Sequence, residues 1–229
     1  MRLNPDLTFQ TLIPTAGNRA ALEACWEFAT SYKPNFNFLL LHGPPAVGKT
    51  HLLHAIPNAA RKLQPKLRIM LITCETWTDE LVTSIRSERT EEFRSKYRQI
   101  QMLLTDDVQI LIGKPITQQF LADFIQSLIH SGCRVVLTYS GLLSALPLAH
   151  AETATRLIIE MRPPTREEMH RVILSKFAIQ CRTIPLNAFK AACMYAHGDI
   201  RRVEGRLNAV LLQRKFTRED ANNLRATVV

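Results

Sequence analysis

Residues Gly43-Pro44-Pro45-Ala46-Val47-Gly48-Lys49-Thr50 follow the pattern G-x-x-x-x-G-K-T. These residue types at this spacing suit one task, cradling a chain of phosphates. The glycines let the backbone turn tightly and bring its N–H groups against phosphate oxygens. The Lys49 ammonium can reach β- and γ-phosphates, and the Thr50 hydroxyl can ligate Mg2+. An apolar run, Leu39-Leu40-Leu41, precedes the loop, and a helical pattern beginning at His51 follows it. Strand, loop and helix in that order is the context a P-loop requires, and the helix N-terminus adds partial positive charge where phosphates sit. Residues 43–51, His51 included, are therefore expected to bind ATP or ADP. The competing reading, a chance glycine turn ahead of a helix, explains neither the full pattern nor its context.

A second constellation completes the chemistry. Leu103-Leu104-Thr105-Asp106-Asp107 is an apolar strand ending in two carboxylates. In a P-loop fold such a strand end faces the phosphates. Asp106 is expected to hold Mg2+, directly or through water, and Asp107 to polarise the attacking water. Without the P-loop the same pair would read as two acids opening a surface loop. Asp199-Ile200-Arg201-Arg202 opens a late helix. An arginine in its first turn can sense γ-phosphate charge; an exposed basic helix face is an equally good reading of those residues alone.

The elements that must position these groups follow from hydrophobic patterning. Strands are expected at 38–42, 68–73, 101–105, 134–138 and 157–161, with helices near 17–31, 49–63, 77–86, 90–97 and 117–131. Strand–helix alternation of this kind predicts a parallel five-stranded sheet covered by helices, with ligands at the carboxyl ends of the strands. Pro57, inside the P-loop helix, removes one helical hydrogen bond and should kink it. After Pro163-Pro164 no strand pattern remains. Thr165-Arg166-Glu167-Glu168 is a capping box that opens a helix to about residue 180. A second helix follows Pro185 and stops before Gly198, a third runs from an Asp199 cap to about 214, and a short fourth covers 217–224. The expected organisation is an α/β nucleotide-binding domain over 1–162 and a small all-helical lid over 163–229. This is the outline of an AAA+ module.

Bulk composition narrows the class. The 229 residues, 46% hydrophobic and 21% charged, are ordinary for a soluble globular chain, and no apolar run is long enough to span a bilayer. Residues 1–6 lack a signal-peptide core, so a cytoplasmic location without membrane partners is expected. Five cysteines are scattered without metal or disulfide spacing. The 29 basic residues against 20 acidic give a net charge of +9. That surplus fits nucleic acid as partner, or a solvated surface that happens to be basic.

Several segments resemble the AAA+ domain of the DnaA family of bacterial replication initiators. They are Leu3-Asn4-Pro5 with Thr8-Phe9 and Asn18-Arg19; Gly48 to Ile56; Thr90-Glu91-Glu92-Phe93-Arg94 with Tyr97-Arg98; Leu103 to Gln109 with Gly113-Lys114; and Ile200-Arg201 with Glu204-Gly205. The resemblance implies a sensor role for Arg201, and a single-stranded DNA channel lined by Val82 and Lys114. Taken alone, Val82 reads as a core or interface valine. Arg86, Arg89, Arg94, Lys96 and Arg98 make its surroundings basic, as a channel tracking phosphates needs. Arg156 is the candidate for the family's trans-acting arginine finger, in a segment shorter than usual; it also reads as an ordinary arginine at a strand start. Ser140 stands where the family usually has an acid, which implies altered, weak ATP hydrolysis. Few residues follow the lid, so the resemblance is to a short form without the family's helix-turn-helix domain, and base-specific reading of duplex origin boxes is not expected.

What the resemblance implies is ATP-dependent assembly on DNA or with full-length DnaA, in initiation or regulation of replication, with the replicative helicase a further possible partner. Two alternatives use the same core: a regulatory adaptor that stimulates hydrolysis by DnaA, and a helicase loader or mobile-element targeting ATPase. A small-molecule kinase is disfavoured by the helical lid and the family-specific segments.

Overall fold

The computed structural model describes residues 1–141, 143–146, 155–179, 186–193 and 199–212. Its strands are β1 (Phe38–His42), β2 (Ile69–Thr73), β3 (Met102–Asp106), β4 (Arg134–Tyr139) and β5 (Arg156–Glu160). Its helices are α1 (Arg19–Thr30), α2 (Lys49–Leu63), α3 (Cys74–Arg86), α4 (Thr90–Arg98), α5 (Pro115–His130), α6 (Arg166–Ile179), α7 (Leu186–Cys193) and α8 (Ile200–Leu212). The strands form one parallel sheet in the order β2-β3-β4-β1-β5. The three inner strands are almost wholly buried and the two edge strands only partly so. Burial on both faces is why the inner strands are nearly continuous apolar runs instead of alternating ones.

Element boundaries follow local chemistry. α3 starts at Cys74, earlier than hydrophobic periodicity suggests, because the Thr73 side chain accepts the Thr76 N–H and caps it. Pro115 opens α5, where its missing N–H costs nothing. α2 is continuous from Lys49 to Leu63 through Pro57. An aromatic cluster of Trp77, Phe93, Tyr97, Phe120 and Phe124 packs α3, α4 and α5 together. The buried Arg134, first residue of β4, donates at 3.0 Å to both Phe28 O and Ser31 O. It thereby satisfies carbonyls at the end of α1 that the helix leaves unpaired. Four cysteines among the described residues are free thiols. No helix among the described residues is long and apolar enough to cross a membrane.

The chain divides into two compact units. One comprises Met1–Leu12, Asn18–Pro44 and Gly48–Met161, and the other comprises Ile13–Gly17, Pro45–Val47 and the chain from Arg162 on. The second unit has its own core of Met169, Ile173, Ala188, Phe189, Ala192, Val203 and Leu207, contributed by α6, α7 and α8. Asp199 caps α8, accepting the N–H groups of Arg201 at 2.8 Å and Arg202 at 3.3 Å. The short helix expected at 217–224 lies outside the described residues.

The capping box at the start of α6 forms as its residues require. Glu168 N donates to Thr165 Oγ1 at 3.2 Å, and Thr165 N donates to Glu168 Oε2 at 2.9 Å. The other carboxylate oxygen reaches further along this unit and accepts the Ala16 N–H at 2.7 Å. These backbone donors, Ala16 first, hold the Glu168 carboxyl below the usual glutamate range. A carboxylate held low in the folded state contributes stability above its unfolded pKa and loses it as pH falls through the folded value. Glu168→Gln should therefore lower the melting temperature near neutral pH. The gap to wild type should close as pH drops below about 4.3, the free glutamate value. Thermal melts across pH 7 to 3 check this; a gap that stays constant would show that ionisation of Glu168 contributes nothing.

Candidate nucleotide-binding site

The loop after β1 takes the conformation that its glycines permit. Gly43 and Gly48 have φ of 148° and 104°, and a Cβ on Gly43 would come within 2.1 Å of Met161 O. Any larger residue at position 43 would push β1 and the end of β5 apart. Gly48 is the N-cap of α2, and no side chain caps that helix. Its first N–H groups and the positive end of its dipole are thus left to an anion from outside the helix. The buried Lys49 ammonium donates to Gly43 O and Pro44 O, each at 2.7 Å. Those bonds hold the cation against the loop.

Across the sheet, β3 delivers Asp106 and Asp107 beside this helix. Asp106 is only 2% exposed. Its Oδ1 accepts the Thr138 hydroxyl of β4, and the Thr50 hydroxyl hydrogen-bonds the same carboxylate. Burial pushes the Asp106 carboxyl above the ordinary aspartate range, opposed mainly by those two hydroxyls. A cation beside it would offset that burial. Asp106 and Thr50 offer hard oxygen donors, and no group of three or more His, Cys, Asp or Glu among the described residues forms an all-protein metal cage. That donor set fits Mg2+, which takes one or two protein oxygens and fills its remaining positions with phosphate and water.

Asp107 is left-handed, with φ of 61°, a conformation that aspartate tolerates better than most residues. Its N–H donates to Thr138 Oγ1 at 2.9 Å, so one buried hydroxyl serves both acids. Gln109 then bridges outward: its Nε2 donates to Asp107 Oδ1 at 2.7 Å and its Oε1 accepts Ser140 N–H at 3.0 Å. Asp107 is thereby exposed yet oriented. Thr138 and Gln109 received no role from sequence reasoning. An aliphatic hydroxyl directly after the apolar run 135–137 is the available signal for Thr138, since a buried polar group needs a partner. Gln109 gave none.

The remaining candidate residues have surroundings of their own. The His51 ring faces the N-terminal segment, with Nε2 2.8 Å from Thr8 O. Arg156 pairs with Phe38 at the start of β1, whereas Glu160 pairs with His42 beside the loop. Arg156 therefore lies one strand length, roughly 13 Å, from this chain's own phosphate loop. Arg201 stands exposed in the first turn of α8, within the second unit. Val82 is 38% exposed on α3, beside the more exposed Ile85. Lys114 precedes α5; burial pushes the Cys74 thiol at the start of α3 up to about 12, and the Thr78 hydroxyl and the Lys114 charge oppose that rise. Two neighbouring cations are already committed: Lys96 pairs with Glu80 at 2.7 Å and Arg98 with Glu91 at 2.8 Å.

Known proteins resemble this chain in sequence and fold. The family model of the bacterial DnaA ATPase domain matches residues 3–157. The chromosomal replication initiator protein DnaA of Thermoanaerobacter sp. (strain X514) is 31% identical over 220 residues, which is 94% of this chain and 50% of that protein. DnaA of Roseiflexus castenholzii is 32% identical over 212 residues, 91% of this chain and 44% of that protein. The chain thus spans about half the length of the curated relatives it matches. Among solved structures, domain III of the Thermotoga maritima replication initiation protein DnaA superposes with a TM-score of 0.82 at 28% identity, covering 98% of this chain and 97% of that one. A DnaA bound to AMPPCP and single-stranded DNA superposes with a TM-score of 0.76 at 25% identity, covering 93% of this chain and 67% of that one. With the P-loop, the paired acids and the five-stranded parallel sheet in the same chain, these likenesses place it in the bacterial DnaA ATPase-domain family.

Proposed function

We propose that this chain is a DnaA-type nucleotide switch. It binds ATP or ADP with Mg2+, hydrolyses ATP slowly, and in the ATP state assembles with copies of itself or with full-length DnaA on single-stranded DNA. The observation that carries the reading is the shared Asp106 carboxylate, hydrogen-bonded by Thr50 at the start of an uncapped helix and by Thr138 from the next strand. The family match and the relative bound to AMPPCP and single-stranded DNA support it.

In this reading the N–H groups at the start of α2 and the Lys49 ammonium bind the β- and γ-phosphates. Thr50 and Asp106 would hold Mg2+, which when bound would supply positive charge beside the phosphates. Asp107, steadied by Gln109, accepts a proton from the attacking water or orients it. Arg156, far from its own phosphate loop, is suited to act on a neighbour's nucleotide, and Arg201 couples the helical unit to nucleotide state. Lys114 and Val82, with Ile112 and Ile116 exposed nearby, form the grip on a single strand, cation for phosphate and apolar surface for bases.

Calorimetry tests the first half. Lys49→Ala should weaken ADP binding by at least about tenfold, the worth of one charge-assisted contact. Asp107→Asn should leave affinity within about twofold and slow hydrolysis by roughly a hundredfold, the usual contribution of a positioned base. Unchanged hydrolysis in Asp107→Asn would remove that residue from the chemistry.

Fluorescence anisotropy with a labelled single strand tests the second half. Lys114→Ala should weaken ATP-dependent binding and reduce the log–log salt slope by roughly 0.7, one phosphate contact. ADP affinity should stay as it was. An unaltered slope would place the strand elsewhere.

A further inference from the structure

The N-terminal segment lies along the P-loop helix and is fastened to it by side chains, not by packing alone. Asn58 Nδ2 donates to Asn4 O and Leu7 O, both at 2.9 Å, and the His51 ring meets Thr8 O at 2.8 Å. Between them His54 Nδ1 accepts the Asn4 N–H at 3.1 Å. Positions 51, 54 and 58 share one face of α2, so they reach a single strap.

His54 also belongs to a second row. It lies one turn beyond Thr50, whose hydroxyl bonds Asp106, and it is 3% exposed. Thr50 and His54 are neighbours at i and i+4 on α2, so the ring lies on the same row of the helix as the hydroxyl that bonds Asp106. An N–H donated to Nδ1 demands a lone pair there, which puts the ring proton on Nε2. The strap therefore selects the tautomer of a ring one turn along α2 from Thr50, which bonds the carboxylate assigned to Mg2+. An N–H on the far side of the ring favours a nearby negative charge, whereas a lone pair there would repel it.

We propose that His54 is a positioning residue that couples the anchoring of segment 4–11 to Asp106, so that seating of the strap tunes the Mg2+ dependence of nucleotide binding. The inference rests on the assignment of Thr50 and Asp106 to Mg2+. It makes the N-terminal segment part of the metal site without contact with the metal.

The test measures ADP affinity of the full chain by calorimetry at graded Mg2+ concentration. Asn4→Pro removes the donated N–H. It should raise the Mg2+ midpoint about three- to tenfold, within the usual range of coupling between linked groups. Asn4→Ala keeps the N–H while losing the bond from Oδ1 to the Asp6 N–H, and should stay within about twofold of wild type. In a His54→Phe background Asn4→Pro should have no further effect. Should His54→Phe fail to fold, His54→Asn serves: its Oδ1 keeps the acceptor for Asn4, so amide exchange at Asn4 stays slow while the Mg2+ midpoint rises. An Asn4→Pro variant with the wild-type midpoint, or an equal shift with and without His54, would overturn the coupling. If Asp106→Asn leaves the midpoint untouched, the metal assignment itself fails.

Discussion

A carboxylate withheld from water has to be compensated by donors or a cation, and at Asp106 that requirement organises the nucleotide end of the molecule. Its compensation comes from two directions. Thr50 belongs to the helix that follows the phosphate loop, and Thr138 to the neighbouring strand. One ionisable group thereby ties α2, β3 and β4 at the carboxyl edge of the sheet. The Thr138 hydroxyl has a single proton and gives it to Asp106, which leaves its lone pairs for the Asp107 N–H. Replacing the hydroxyl with a methyl group would take from Asp106 one of its two hydroxyl donors and from the Asp107 N–H its acceptor.

The rest of the first unit holds that cluster in register. Three inner strands, buried on both faces, cannot slip without carrying apolar side chains into misfit. The aromatic cluster beneath α3, α4 and α5 fixes the helices on one face, and Arg134 ties the end of α1 to the start of β4. The second unit achieves order at smaller scale. There one glutamate serves a helix cap and a distant loop, so the stretch Ile13–Gly17 is bonded to α6 despite a separation of 152 residues between Ala16 and Glu168.

Much of this was legible in the residues. Continuous apolar runs mark inner strands of a parallel sheet, and all five strands form within a residue of their expected limits. The capping box at Thr165 and the Asp199 cap were visible because capping depends on residue type at fixed spacing. What stayed hidden were contacts between groups distant in sequence. Nothing near Gln109 indicates that it spans Asp107 and Ser140. Nothing near His54 indicates that Asn4 will lie against it. The basic texture of α4 suggested a row of available cations, yet Lys96 and Arg98 pair with Glu80 and Glu91. Charge counts along a chain cannot show which charges cancel in space.

The strand order has a consequence for how the chain acquires its fold. Among the described residues, β1, which precedes the glycine-rich loop, hydrogen-bonds only to β4 and β5. Its first partner begins at Arg134 and its second at Arg156, about a hundred residues further along. The loop must therefore wait for about a hundred further residues before its strand has any neighbour, and closing so long a separation costs entropy before contacts repay it. During that interval Leu39, Leu40 and Leu41 form an unpaired apolar segment, the kind that chaperones shield. The loop motif is made about a hundred residues before the strands that set its shape, so the loop takes its form only once the sheet is complete.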